Sequence, residues 1–206
     1  MRLRRASLIV ALTVGALSAG GVARAAEQGP PDQEAKPQAE SARPPSPAEM
    51  RAEIYARLAA SKDPDETEGL VGLLVTAYAQ SGSDTGDLLL KRAHKAIEAK
   101  DYKAAGKILD ATIAVLPDWA EGWNARATLR YLDGDFEGSM ADIAETLKRE
   151  PRHLGALLGM ANILESRDKD DEALKVYERV LAIAPHWKSA EAAADKLKAE
   201  IAGQNL

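Results

Sequence analysis

Apolar residues recur at helical spacing in short blocks along most of this chain. Leu157, Met160, Ala161 and Leu164 follow i, i+3, i+4, i+7. After a polar break from Ser166 to Asp171, Ala173, Leu174, Val176, Tyr177, Val180 and Leu181 do the same. Such spacing puts apolar side chains on one stripe of a helix, and the break suits a tight antiparallel turn. Similar stripes stand upstream at Ile54, Tyr55, Leu58 and Ala59, and at Leu70, Leu73, Leu74, Ala77 and Tyr78. A last one runs through Trp187, Ala190, Ala193, Ala194, Leu197 and Ile201. Strand-like alternation is absent, so the pattern predicts an all-α protein.

The blocks repeat. Pro117, Pro151 and Pro185 are 34 residues apart, and the same step relates Leu89, Trp123 and Leu157. It also relates Ala93, Ala127 and Ala161, and Ala105, Ser139 and Ala173. A fixed period of this length marks a stacked array of helical hairpins. The small residues fall where two helices cross, and each proline ends one helix before the next begins. Trp123 is expected in the core. Asp118 and Glu121 read as a capping box for the helix that follows.

These positions resemble the tetratricopeptide repeat (TPR) family. Numbered from Gly86, Ala120 and Leu154, position 4 is large, positions 8 and 20 are small, and position 32 is proline. Arg92 and Arg126 at position 7 and Ala96, Arg130 and Leu164 at position 11 depart from the family pattern. The resemblance implies antiparallel helix-turn-helix repeats stacked as a short TPR solenoid: three repeats over 86–185 (86–119, 120–153 and 154–187), with a C-terminal solvating helix and tail over 186–206. Residues 48–85 form an N-terminal helical hairpin, either a divergent repeat, with Tyr55 at position 4 and Ala59 at position 8, or an unrelated cap. Repeat arrays need their ends covered.

The N-terminus adds a processing signal. Arg2, Arg4 and Arg5 precede an uncharged, mostly apolar run from Ala6 to Ala23, then Ala23-Arg24-Ala25. This is a secretory signal peptide over residues 1–25, cleaved between Ala25 and Ala26. The alternative is an uncleaved membrane anchor. A periplasmic or secreted location follows from the first reading. Residues 26–47 hold Pro30, Pro31, Pro37, Pro44, Pro45 and Pro47 among polar residues and read as a disordered, proline-rich linker. Ser46 then caps a helix whose first residue is Pro47.

Charge and chemistry narrow the function. The leader carries four of the 27 basic residues and no acid, so the mature chain sets 23 against 32 acids, a net charge near −9. That disfavours nucleic acid and, after cleavage, anionic membranes. There are no cysteines. No phosphate loop, nucleophile elbow or metalloprotease motif is present, so no catalytic residue, metal or cofactor is assigned. His94, His153 and His186 are far apart in sequence and read as structural or solvent-facing. Asp133 to Gly138 imitates the start of a calcium loop, but its twelfth position is Ala144, and an inter-helix turn with Asp135 as helix cap fits better.

In the TPR family the first helix of each unit lines a concave groove through positions 2, 5, 9, 12 and 13. The resemblance implies Leu90, His94 and Ile97 in the first unit, with Asp87 and Glu98. It implies Asn124, Thr128, Tyr131 and Leu132 in the second, with Glu121, and Leu158, Asn162 and Glu165 in the third. The set has acids and apolar residues but no lysine or arginine, so it disfavours a carboxylate ligand. The expected function is a non-enzymatic protein–protein interaction adaptor or scaffold of the bacterial cell envelope. It binds a neutral or basic peptide, or a helix, in that groove. The alternative is a structural, self-assembling homo-oligomer.

Overall fold

The computed structural model describes residues 43–204; the signal-peptide expectation for residues 1–25, and that for the linker over 26–47 as far as residue 42, lie outside them. The described residues form nine helices. They are α1 (Pro47–Ala60), α2 (Pro64–Tyr78), α3 (Asp84–Glu98), α4 (Tyr102–Val115), α5 (Ala120–Leu132), α6 (Phe136–Arg149), α7 (Leu154–Glu165), α8 (Asp170–Ile183) and α9 (Lys188–Gln204). None is long and apolar enough to cross a membrane. The described residues are all-α, as the periodicity predicts.

The 34-residue step governs the helix starts. α5, α7 and α9 begin at residues 120, 154 and 188, and α4, α6 and α8 at 102, 136 and 170. It also governs the turns. Lys100, Gly134 and Asp168 all adopt left-handed backbone, with φ of 59°, 83° and 55°. Each ends its helix in a Schellman turn: Asp101, Asp135 and Lys169 donate their N–H back to Ala96, Arg130 and Leu164 at 2.8, 2.8 and 3.0 Å. Only the middle unit places glycine there, the residue without a Cβ penalty. Asp101 and Asp135 then cap α4 and α6, accepting from Ala104 and Gly138 at 3.0 and 2.9 Å. Asp135 is thus a helix cap, as the turn reading expects.

α3–α4, α5–α6 and α7–α8 pack as antiparallel hairpins. The crossing residues Ala93, Ala105, Ala127, Ser139, Ala161 and Ala173 are all buried. Ser139 pairs its hydroxyl with the Ala127 carbonyl at 2.8 Å. Arg126, the departure at position 7, is explained by a charge cluster. Its guanidinium grips Asp142 through Nε and Nη2 at 2.9 and 2.8 Å and reaches Asp110 at 2.8 Å. Arg130 adds a contact to Asp142 at 3.0 Å. Asp142 is buried, so these cations hold a carboxylate that would be costly alone.

Trp123 corrects its core assignment. The ring is half-buried, lies between the Arg126 and Arg149 guanidinium groups, and donates Nε1–H to the Pro117 carbonyl at 2.9 Å. Its polar edge and the flanking cations hold it at the inter-repeat corner, while Leu157 at the same position is fully buried.

The α1–α2 hairpin joins its core side chains Tyr55, Leu58, Leu70, Val71, Leu74 and Tyr78 to those of α7, α8 and α9. It touches all three inter-repeat corners. Trp119 donates to the Tyr78 carbonyl at 3.0 Å; both tyrosine hydroxyls reach the Arg152 carbonyl, at 2.9 and 3.0 Å; and Lys188 pairs with Asp65 at 2.7 Å. Ala59 is exposed, whereas the alanines at position 8 of the three units are buried. α1 starts on a capping box of Ser46 and Glu49, with Pro47 at its first turn.

Candidate functional site

The first helices of the units, α3, α5 and α7, carry the expected groove residues. Two cavities open along them. The larger, about 340 Å³, lies between α5 and α7. Asn124, Thr128, Tyr131, Leu132, Leu158 and Asn162 line it, with Ala127, Ser139, Ile143, Gly155 and Gly159 beneath. The smaller, about 230 Å³, lies between α3 and α5 and is lined by His94, Ile97, Glu98, Glu121, Ala125 and Thr128. Thr128 belongs to both.

Glycine shapes the larger cavity. One repeat earlier, Gly155 and Gly159 correspond to Glu121 and Ala125, so the space over α7 is the emptier of the two. A Cβ on Gly159 would meet Ile143 Cδ1 at 3.4 Å, and one on Gly155 would meet the Asn124 amide nitrogen at 3.6 Å. Tyr131 and Leu132 stand at the rim, 36% and 47% exposed, although both are large apolar side chains. Tyr131 is steadied by a tilted ring contact with Phe136 at 5.5 Å. The carbonyl of Asn124 accepts from the Thr128 hydroxyl at 3.0 Å. The arrangement offers an apolar seat with amide groups beside it, the chemistry that takes a side chain and its backbone.

Eight of the ten expected groove residues line these two cavities. Leu90 does not. It is 3% exposed and packs with Ala93, Ala105, Leu109, Ala125 and Leu129. This is a correction: Leu90 fills, between the first two units, the room that Gly155 and Gly159 leave open between the second and third. Glu165 lines neither cavity, and its carboxylate accepts from the Tyr177 hydroxyl at 2.8 Å. Burial, with the neighbouring carboxylate, raises the Tyr177 phenol above its ordinary pKa.

Glu121 and His153 behave differently from expectation. Asp118 and Glu121 form no capping box, because α5 has no side-chain cap and Glu121 turns to His153 instead. His153 Nε2 lies 2.9 Å from Glu121 Oε2, and its Nδ1 accepts the Ala156 N–H at 3.2 Å as the cap of α7. The ring is 1% exposed and stacks on Tyr78, with centroids 3.8 Å apart. Desolvation lifts the phenols of Tyr55 and Tyr78 above their ordinary range, so both stay protonated as hydrogen-bond donors. Arg152 covers the Tyr55 ring at 3.7 Å. This network ties the hairpin to the floor of the groove. It joins residues up to 97 positions apart, beyond the reach of any local pattern.

No family model matches the chain. It is 40% identical over 158 residues to a TPR repeat-containing protein of Rhizobium etli, spanning 77% of this chain and 78% of that one. Tetratricopeptide repeat protein 36 of Xenopus tropicalis is 29% identical over 126 residues, 57% of this chain and 58% of that one. Among solved structures, the fold is similar to the Yersinia enterocolitica type III secretion chaperone SycD in complex with a peptide of the translocator YopD. The TM-score is 0.52 at 14% identity, over 57% of this chain and 95% of that one. The repeat register, the helix order and the Rhizobium relative together make this chain a member of the tetratricopeptide repeat family.

Proposed function

We propose that this chain is a non-enzymatic protein-binding adaptor of the bacterial cell envelope, which takes a peptide or helix of a partner in its concave groove. The observation that carries the reading is the cavity of about 340 Å³ with Tyr131 and Leu132 exposed at its rim. Apolar side chains gathered at the mouth of a cavity, with Asn124 and Asn162 flanking it, suit a partner segment. The solved fold relative, SycD, carries a peptide of another protein, so a peptide is the occupant to test first. Export rests on the sequence of residues 1–25, and N-terminal sequencing of the mature protein tests it: a start at Ala26 supports the periplasmic or secreted reading, a start at Met1 the anchored one.

The test is affinity capture from detergent-treated envelope extract with the whole mature chain, beside a variant carrying Tyr131→Ala and Leu158→Ala. A partner held by the first and released by the second, with both folded, supports the groove. Equal capture by both contradicts it.

Self-assembly is the second reading, favoured by one feature. On α2, Leu73 and Val75 are 51% and 60% exposed, and nothing stands within 4 Å of a Cβ built on Gly69 or Gly72. Mass by light scattering at two concentrations separates the readings.

A further inference from the structure

Glu121 is a deeply set carboxylate with neutral partners. Its side chain is 12% exposed. Asn124 Nδ2 lies 3.3 Å from both of its oxygens. His153 gives the third contact, and because Nδ1 of that ring accepts the Ala156 N–H, the ring proton lies on Nε2, the neutral tautomer. Among the described residues, Arg51 and Arg149 line a small cavity of about 60 Å³ with Glu121, but neither pairs with it within 4 Å; its ion-pair contact is to His153. Comparable carboxylates are treated otherwise. Asp142 has Arg126 and Arg130, and Glu150 has Arg51 at 3.6 Å. A carboxylate removed from water without a cation is held at a cost, and a cation brought by a ligand offsets it.

Glu121 also faces the right place. It lines the smaller cavity with Glu98, and Thr128 is the wall shared with the apolar one. Glu121, Asn124, Thr128 and Tyr131 follow one stripe of α5. From Glu121 to the middle of the apolar cavity is about two helical turns, roughly 10 Å. An extended peptide covers that in about three residues.

We propose that Glu121 is the specificity-determining residue of the groove: it receives the ammonium or guanidinium of a partner Lys or Arg, about three residues from a bulky apolar residue seated between α5 and α7. The proposal rests on the groove reading and adds to it a recognition rule. His153 and, through it, Tyr78 of the hairpin are positioning residues that fix the carboxylate at the edge of the groove.

The test is selection of random displayed peptides, with no free C-terminus, on the full mature chain and on Glu121→Gln. The amide oxygen of Gln still accepts from His153, so the variant keeps the network, and thermal melting checks that it folds. The wild type is expected to enrich Lys or Arg about three residues from a bulky apolar residue. Glu121→Gln is expected to lose the cation preference by about tenfold or more and to keep the apolar one. A second measurement leaves the protein untouched: in a selected peptide, Lys→norleucine weakens binding to the wild type by a similar factor. Apolar enrichment without a cation, or a cation preference unchanged in Glu121→Gln, overturns the proposal and leaves the groove standing. Selection that ignores Tyr131→Ala with Leu158→Ala overturns the groove reading itself.

Discussion

Gly159 sits inside α7 and under the larger cavity, so it couples stability to binding with opposite signs. In a helix interior, glycine is about 0.8–1 kcal/mol worse than alanine. A Cβ at this position meets Ile143 Cδ1 at 3.4 Å, an ordinary contact, so no overpacking penalty offsets the gain. Gly159→Ala is therefore expected to stabilise the fold by roughly 0.5–1 kcal/mol, a rise of about 1–4 °C in Tm for a domain of this size. Gly159→Leu has the same Cβ, and its longer side chain enters the cavity. It is expected to keep the stability gain while abolishing binding of the groove partner. Urea unfolding and calorimetry give the first quantity, and titration of a selected peptide gives the second. A loss of more than about 1 kcal/mol in Gly159→Ala would show that α5 and α7 are close-packed and the cavity is not there. Full binding by a folded Gly159→Leu would place the ligand elsewhere.

Three further outcomes are expected. Tyr78→Phe removes the hydroxyl shared with Tyr55, the Arg152 carbonyl and the Leu154 N–H, and should cost about 1–3 kcal/mol by urea unfolding; a cost under about 0.3 kcal/mol would show that the hairpin does not depend on this network. Trp123→Ala should cost about 1–2 kcal/mol, below the 3–5 kcal/mol of a buried aromatic, because the ring is half-buried between arginines; a core-sized loss would refute its placement at the corner. Arg43, with Ser46, lowers the exposed Glu49 carboxyl from the ordinary 4.5 to about 2. A depressed folded pKa favours the ionised form, so its contribution is complete above 4.5 and disappears as pH falls toward 2. An NMR titration should find that low midpoint, and Arg43→Ala should move it up toward the ordinary value; an unmoved midpoint would exclude the arginine as the cause.

What the sequence made legible was whatever repeats. The 34-residue step located three hairpins, the corner prolines, the buried alanines and many of the residues that border the two cavities. It did so because stacking imposes the same local requirement in each unit. What it hid was particular to one unit or to residues outside the repeats. Leu90 and Asn124 share a repeat position, yet the first is core and the second lines a cavity, because Gly155 and Gly159 belong only to the third unit. Those two glycines, four apart inside a strongly apolar helix, were the available signal for the cavity. The Arg126–Asp142 pair and the Tyr55–Tyr78–His153–Glu121 chain have no period to reveal them. Trp123 was misplaced because a repeat position fixes where a side chain starts and not how much of a large amphipathic ring remains outside.

In the proposed function a partner occupies the space between α5 and α7. Its most direct test is a photo-crosslinking residue in place of Thr128, the wall shared by both cavities, compared in living cells with one in place of the exposed Glu178 on α8. A discrete adduct is expected from position 128, lost when Tyr131→Ala and Leu158→Ala are added, and none from position 178. An adduct from position 178 alone, or one from 128 that survives the double substitution, would contradict it.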